Sequence, residues 1–348
     1  MNPGRRTTPQ TPIARRTLCE NGLSSDIKSR NRRLPKEIPG IHHVTAIAGE
    51  PQQNIEFYAD FLGLRLVKLT VNYDDPETYH LYYGDEDGHP GTILTFFPWP
   101  GAPGGRKGAG QVTTTSFSIP RDSVRYWVER LGKHEVAFTG PVDRFDEQLI
   151  SFSDPDGLNL ELVAHAGEIR RGWGRGSVPR EHAIRGFFGV TLSEEGYEKT
   201  SSLLTETMGF KLTKQEGNRF RYAARSGGPG ATVDLLCQPD ARPGVVSVGT
   251  VHHVAWRTPD DGQQKMWREE LVEAGLNVTP VIDRKYFHSI YFREPGGVLF
   301  EIATDPPGFA IDERKEELGT RLMLPPQFES FREHLVQVLP RVKLPKMA

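Results

Sequence analysis

The chain has 348 residues, enough for two ordinary domains or one large one. Its 43 Lys/Arg against 45 Asp/Glu leave a net charge of −2, which argues against a nucleic acid or a charged membrane surface as partner. A composition 36% hydrophobic and 25% charged is that of a soluble globular protein, and no apolar run approaches the roughly 18 residues that span a bilayer.

Residues 1–37 stand apart, with nine Lys/Arg, three acids and no hydrophobic stretch. Such a segment cannot bury enough apolar surface to fold and reads as a disordered basic tail; its Arg, Ser and Thr content makes a mitochondrial transit peptide the alternative to a cytoplasmic chain. Cys19 and Cys237, far apart and in unlike contexts, make no disulfide framework and no zinc spacing, which points to a reducing compartment.

From residue 40 the chain repeats itself. Gly40-Ile-His-His-Val-Thr-Ala-Ile-Ala48 is a β-branched, apolar strand pattern, followed by a helical pattern over 51–62 that Gly63 closes. Thr113 to Ile119 precedes a helix over 122–131 closed by Gly132. A third strand around Phe188 to Ser193 precedes a helix ending at Met208-Gly209. Thr250-Val-His-His-Val-Ala-Trp256 opens a fourth copy, with a helix over 260–274 closed by Gly275. The copies end alike: Asp154-Pro-Asp-Gly157 leads into a strand carrying Glu161, and Glu294-Pro-Gly-Gly297 into one carrying Glu301.

The expected fold is therefore α+β, four βαβββ modules at roughly 40–100, 111–165, 183–238 and 249–305 that form two cup-like half-barrels. In domain terms this gives a first unit over 38–165, an Arg/Gly-rich linker over 166–181, a second unit over 182–306, and a C-terminal arm over 307–348. The arm contains a short helix with Phe328, Phe331, Leu335 and Val338 on one face.

Each cup joins two modules, and the equivalent positions on first and last strands are His43/Thr95, Thr114/Glu161, Gly189/Asp234 and His253/Glu301. Pairing module one with module four assembles two imidazoles and a carboxylate, the facial triad of non-haem Fe(II) chemistry, whereas sequential pairing gives poorer ligand sets. Alternation along a strand puts His43, Thr45 and Ile47 on one face and His42 and Val44 on the other, and the spacing leaves open whether His42 and His252 or His43 and His253 turn to the metal. Glu301 interrupts an apolar strand, so a cation must face it: a metal, or an arginine such as Arg284. Glu161, with no histidine opposite, reads as a structural salt-bridge partner.

These residues resemble the vicinal oxygen chelate superfamily, which includes glyoxalase I, bleomycin-resistance proteins and extradiol dioxygenases. More narrowly the chain resembles the hydroquinone ring-cleaving dioxygenases over about residues 38–340. The marks are Phe57-Tyr-Ala-Asp-Phe-Leu-Gly63, Lys68-Leu-Thr-Val-Asn-Tyr-Asp-Asp-Pro76, Tyr79-His-Leu-Tyr-Tyr-Gly84, Gly91-Thr-Ile-Leu-Thr-Phe-Phe97, Asp283-Arg-Lys-Tyr-Phe-His-Ser-Ile-Tyr-Phe-Arg-Glu-Pro-Gly296 and Leu324-Pro-Pro326, together with the paired histidines.

The resemblance implies Fe(II), or Mn(II), held by His43, His253 and Glu301, with His42, Thr45, His252, Arg284 and Tyr291 around it. It implies a small aromatic substrate and O2, and is compatible with a homo-oligomer. His252 is the leading acid/base candidate and Tyr291 the alternative. Arg284 would orient a phenolate or halide, unless it pairs with Asp283 or Glu294 at the surface. His80, His89 and His288 are assigned no chemistry, His288 being at most a supporting residue. A glyoxalase-type isomerase or lyase would want a second carboxylate where Thr95 stands, and a non-enzymatic aromatic-binding resistance protein would lack the metal ligands.

Overall fold

The computed structural model describes residues 38–167, 170–225 and 227–345. The expectations for residues 1–37, including the pairing state of Cys19, lie outside them.

Each repeat contributes four strands. The first supplies β1 (Ile41–Ala48), β2 (Arg65–Asn72), β3 (Asp75–Gly84) and β4 (Ile93–Pro98). The second supplies β5 (Gln111–Pro120), β6 (Phe138–Arg144), β7 (Glu147–Ser153) and β8 (Asn159–His165). The third supplies β9 (Phe187–Glu194), β10 (Lys211–Glu216), β11 (Arg219–Ala223) and β12 (Thr232–Cys237). The fourth supplies β13 (Thr250–Thr258), β14 (Ile282–Asp283), β15 (Phe287–Arg293) and β16 (Leu299–Pro307).

They form two curled eight-stranded sheets, ordered β14-β15-β16-β13-β1-β4-β3-β2 and β10-β11-β12-β9-β5-β8-β7-β6. The first and fourth repeats share one sheet, zipped by antiparallel pairing of β1 with β13; the second and third share the other, zipped by β5 with β9. Register fixes the internal correspondence. Thr45 stands opposite Thr95, Thr191 opposite Asp234, Ser116 opposite Glu161 and Ala255 opposite Glu301.

A core runs through both sheets and onto the helices. Trp256 on β13 packs edge-on against Phe300 of its own sheet, at 5.4 Å between ring centroids, and against Phe210 of the third repeat at 5.1 Å. Phe300 faces this core while the next residue, Glu301, faces the other side of the sheet, as strand alternation requires.

The helices are α1 (Pro51–Ile55), α2 (Val124–Lys133), α3 (Glu198–Ser202), α4 (Asp261–Glu273) and α5 (Arg332–Val338). Both α1 and α3 widen into a π-helical turn, Glu56–Phe61 and Leu203–Thr207, before glycines with positive φ (Gly63 +73°, Gly209 +76°) end them. Asp260 caps α4 by accepting from the Gln263 amide at 2.8 Å, and Gly275 (φ +88°) closes it.

Two expectations need correction. Gly132 does not stop α2, which runs through it to Lys133; the left-handed residue beyond is Glu135 (φ +56°). In the arm, Leu335 is buried, but Phe331 and Val338 are 56% and 44% exposed, because a 3-10 turn over Pro326–Phe331 precedes α5 and breaks the assumed single apolar face.

Candidate metal centre

The centre is assembled by three adjacent strands of the first sheet, β1, β13 and β16. His43 on β1 lies opposite Ala255 on β13, which lies opposite Glu301 on β16. The residue between His43 and Glu301 carries only a methyl group, so no bulky side chain stands between them. His253 reaches the same space from two residues earlier on β13.

The three side chains converge. His43 Nε2 lies 3.2 Å from His253 Nε2 and 3.3 Å from Glu301 Oε2, and His253 Nε2 lies 2.9 Å from Glu301 Oε2. All three residues are buried. A near-equilateral triangle of this size fits one face of an octahedron, since two cis donors each about 2.1 Å from a metal sit about 3 Å apart. Glu301 Oε2 is buried without a hydrogen bond of acceptable geometry, while Oε1 is held by the Ser289 hydroxyl. An oriented carboxylate with one oxygen left over, facing two imidazole nitrogens, is a donor set that fits a divalent cation. Burial alone would raise the Glu301 carboxyl; His43 and His253 overcome it and hold the group well below the ordinary range. Arg284 does not meet Glu301, so the arginine alternative is not what the fold provides.

The choice between the histidines of each pair is made by two β-bulges. On β1, Ile41 pairs with Trp256 and His43 with Ala255, so His42 is the extra residue; on β13, Thr45 pairs with His253 and Ala46 with Val251, so His252 is. The bulges rotate each first histidine towards its neighbour instead of to the opposite face. His42 Nδ1 lies 2.9 Å from His43 Nδ1, and His252 Nδ1 lies 2.8 Å from His253 Nδ1. With Nδ1 engaged, the second histidine of each pair presents Nε2 to the triangle.

A cavity of about 330 Å³ opens above the triangle, at the small end for ligand sites and so suited to a single ring. Thr45, His252, Arg284 and Tyr291 all line it, and His42 lies behind His43. Arg284 pairs with Asp74 at 3.0 Å, not with Asp283 or Glu294, and its Nε lies 3.4 Å from the Tyr291 hydroxyl. Tyr291 meets His253 edge-on at 5.7 Å; burial, then Glu301, raise its phenol well above the ordinary value. Burial and His253 hold His252 down at about 3, so its ring is neutral at neutral pH.

The remaining histidines separate. His89 is exposed beside Asp85, and His288 bonds Asp261 at 2.6 Å away from the cavity, which removes it even as a supporting residue. His80, assigned no chemistry from sequence, lines the cavity. Its Nε2 is 2.9 Å from Thr95 Oγ1, which is 2.8 Å from Thr45 Oγ1. The signal that could have found it was Thr95, already placed by the repeat.

The second cup closes the same positions with ion pairs. Arg144 holds Glu161 through two bonds of 2.9 and 3.0 Å, and Ser116 adds a third. Arg221 and Arg219 hold Asp234. A larger, open groove of about 870 Å³ between the first helix and the second repeat has no such donor set among the described residues.

Comparison with known proteins agrees with this construction. The family model described as the Glyoxalase/Bleomycin resistance protein/Dioxygenase superfamily matches residues 40–162 and 189–302. The Bacillus subtilis protein named "Putative ring-cleaving dioxygenase MhqO" is 50% identical over 306 residues, 88% of this chain and 97% of that protein. A chlorohydroquinone/hydroquinone 1,2-dioxygenase of Sphingobium indicum is 36% identical over 316 residues, 88% of this chain and 98% of its own. A crystal structure of a "putative dioxygenase" from Bacillus subtilis superposes with a TM-score of 0.86 at 49% identity, covering 90% of this chain and all (100%) of that one. Maize glyoxalase I, at 16% identity and a TM-score of 0.57 over 76% of this chain and 92% of its own, shares the fold alone. The chain belongs to the glyoxalase/bleomycin resistance/dioxygenase superfamily, and within it to the ring-cleaving dioxygenases.

Proposed function

We propose that this dioxygenase uses Fe(II), held by His43, His253 and Glu301, to open the ring of a hydroquinone-type aromatic with O2. The observation that carries the reading is the triangle of His43 Nε2, His253 Nε2 and the unsatisfied Glu301 Oε2 beneath a cavity of single-ring size. The relative from Sphingobium indicum, named for chlorohydroquinone and hydroquinone, supports the substrate class; a catechol is the neighbouring possibility and Mn(II) the neighbouring metal. Thr95, buried and bonded to Thr45 and His80, supplies no second carboxylate, which disfavours a glyoxalase-type reaction.

When bound, Fe(II) supplies open positions for both reactants and an electron path between them. The chain's own residues do the rest. His42 and His252 fix the tautomers of the ligand imidazoles through their Nδ1 contacts. With His252 Nδ1 accepting from His253, its Nε2–H lines the cavity and can donate a hydrogen bond to a reacting oxygen. Arg284, tied back by Asp74, presents a fixed positive charge to a phenolate oxygen. Phe97 and Phe287 line the cavity with apolar rings.

The test is anaerobic loading with Fe(II), then oxygen uptake with a panel of hydroquinones and catechols. Uptake with at least one hydroquinone, lost by about three orders of magnitude in His43→Ala, is expected. No uptake with any ring, or equal uptake by His43→Ala, would falsify the reading.

A further inference from the structure

We propose that Tyr82, His80 and Thr95 form a directed hydrogen-bond chain that turns the Thr45 hydroxyl into a donor aimed at the cavity, making His80 a positioning residue. The inference rests on the ring-cleaving reading of the site and identifies how one wall of that site is polarised.

The four residues stand on three neighbouring strands of the metal-bearing cup. Thr45 on β1 faces Thr95 on β4, and Thr95 faces Tyr82 on β3, with His80 two residues before Tyr82 on the same face. The contacts are continuous. Tyr82 OH lies 2.8 Å from His80 Nδ1, His80 Nε2 lies 2.9 Å from Thr95 Oγ1, and Thr95 Oγ1 lies 2.8 Å from Thr45 Oγ1. The imidazole is clamped between Tyr82 and Phe97, at 4.0 and 4.3 Å between centroids, so it cannot turn over without displacing an aromatic ring.

A neutral imidazole has one N–H and one lone pair, so the chain must run one way. Burial, with His43 and His253 nearby, keeps His80 neutral. A phenol is a far stronger hydrogen-bond donor to an imidazole nitrogen than an aliphatic alcohol is, which assigns the lone pair to Nδ1 and the proton to Nε2. His80 Nε2–H then donates to Thr95 Oγ1. Thr95 is fully buried, and the acceptor left for its single proton is Thr45 Oγ1. The Thr45 hydrogen is thereby free to point into the cavity, where Thr45 stands two residues from His43. The opposite tautomer would reverse every bond and present a Thr45 lone pair instead. A donor beside the metal ligands stabilises an anionic substrate oxygen; an acceptor repels one.

Two measurements on the full chain test this. In the metal-free protein, nitrogen NMR of the histidine rings should show His80 protonated at Nε2, and Tyr82→Phe should shift it towards Nδ1 protonation. In the Fe(II)-loaded enzyme, Tyr82→Phe and Thr95→Val should each lower kcat about tenfold with KM within about twofold, and Thr45→Val about a hundredfold. The decisive readout is coupling: in the Thr45→Val background neither Tyr82→Phe nor Thr95→Val should lower kcat further, whereas a merely structural role would remain additive. An Nδ1-protonated His80, a tautomer indifferent to Tyr82→Phe, or additive losses would each overturn the chain. A wild-type enzyme that consumes no oxygen would instead sink the ring-cleaving reading, and the NMR result judges the direction of the chain separately.

Discussion

The histidine pairs show how much one inserted residue can decide. A regular strand would send His42 and His43 to opposite faces, and the ligand set would be half as well supported. The bulges at His42 and His252 bring both rings of each pair together, so that one imidazole orients the next. Glu194 is the residue whose titration the structure makes most consequential outside the metal centre. It is fully buried at the end of β9 beside Glu294, and neither of its oxygens makes a hydrogen bond of good geometry. Burial raises both carboxyls, but Glu294 receives the Thr200 hydroxyl and the Gly296 and Val298 amides, which favour its charged form over that of Glu194. Burial, then the charge on Glu294, raises Glu194 from 4.5 to about 8. With the folded value above the unfolded one, the native state binds the extra proton, and the stability this contributes is complete below pH 4.5 and lost as pH climbs through 8. Glu194→Gln should therefore flatten the fall in melting temperature between pH 5.5 and 8.5; an unchanged pH slope would show that Glu194 does not titrate there.

At the scale of elements, the arm after β16 is anchored by charge. Lys68 on β2 is wholly buried and pairs with Asp312 at 2.7 Å and with Glu313, and it sits over the Tyr286 ring at 4.9 Å. The segment that carries these acids also receives Arg65, whose guanidinium donates to the carbonyls of Lys315 and Leu318. Removing one partner of a buried pair strands the other, so Lys68→Met should lose about 3–5 kcal/mol in urea unfolding. A loss below about 1 kcal/mol would mean that Glu313 repacks towards Arg321, which lies 3.6 Å away.

For the whole molecule, the two cups are one design used twice for different ends. The bulges recur at Thr113 and Phe188, and Thr114 then corresponds to His253, yet the second cup fills its centre with arginines. It packs against the first through the shared core. The chain should thus bind one metal ion, not two. Arg144→Met should destabilise the protein by about 2 kcal/mol, less than a fully buried pair because Arg144 is partly exposed, and leave metal stoichiometry unchanged. A second bound metal in wild type, or loss of metal in Arg144→Met, would contradict this division of labour.

The repeat, the strand ends and the candidate ligands were legible in residues 40–305 because each depends on local pattern: β-branched strands, positive-φ glycines, and a glutamate breaking an apolar run. The pairing of first with fourth repeat followed from ligand chemistry, since no other pairing gathers two histidines with a carboxylate. Three features were settled only by tertiary structure. The bulges depend on register between strands 210 residues apart, which no single strand encodes. The partner of Arg284, Asp74, comes from another repeat, and an exposed aspartate carries no local mark of that contact. His80 looked like an ordinary strand histidine, and only the side-by-side placement of β1, β4 and β3 joins it to Thr45. Periodicity fixes which face a residue takes within its own strand; what that face meets is decided when strands distant in sequence come into register.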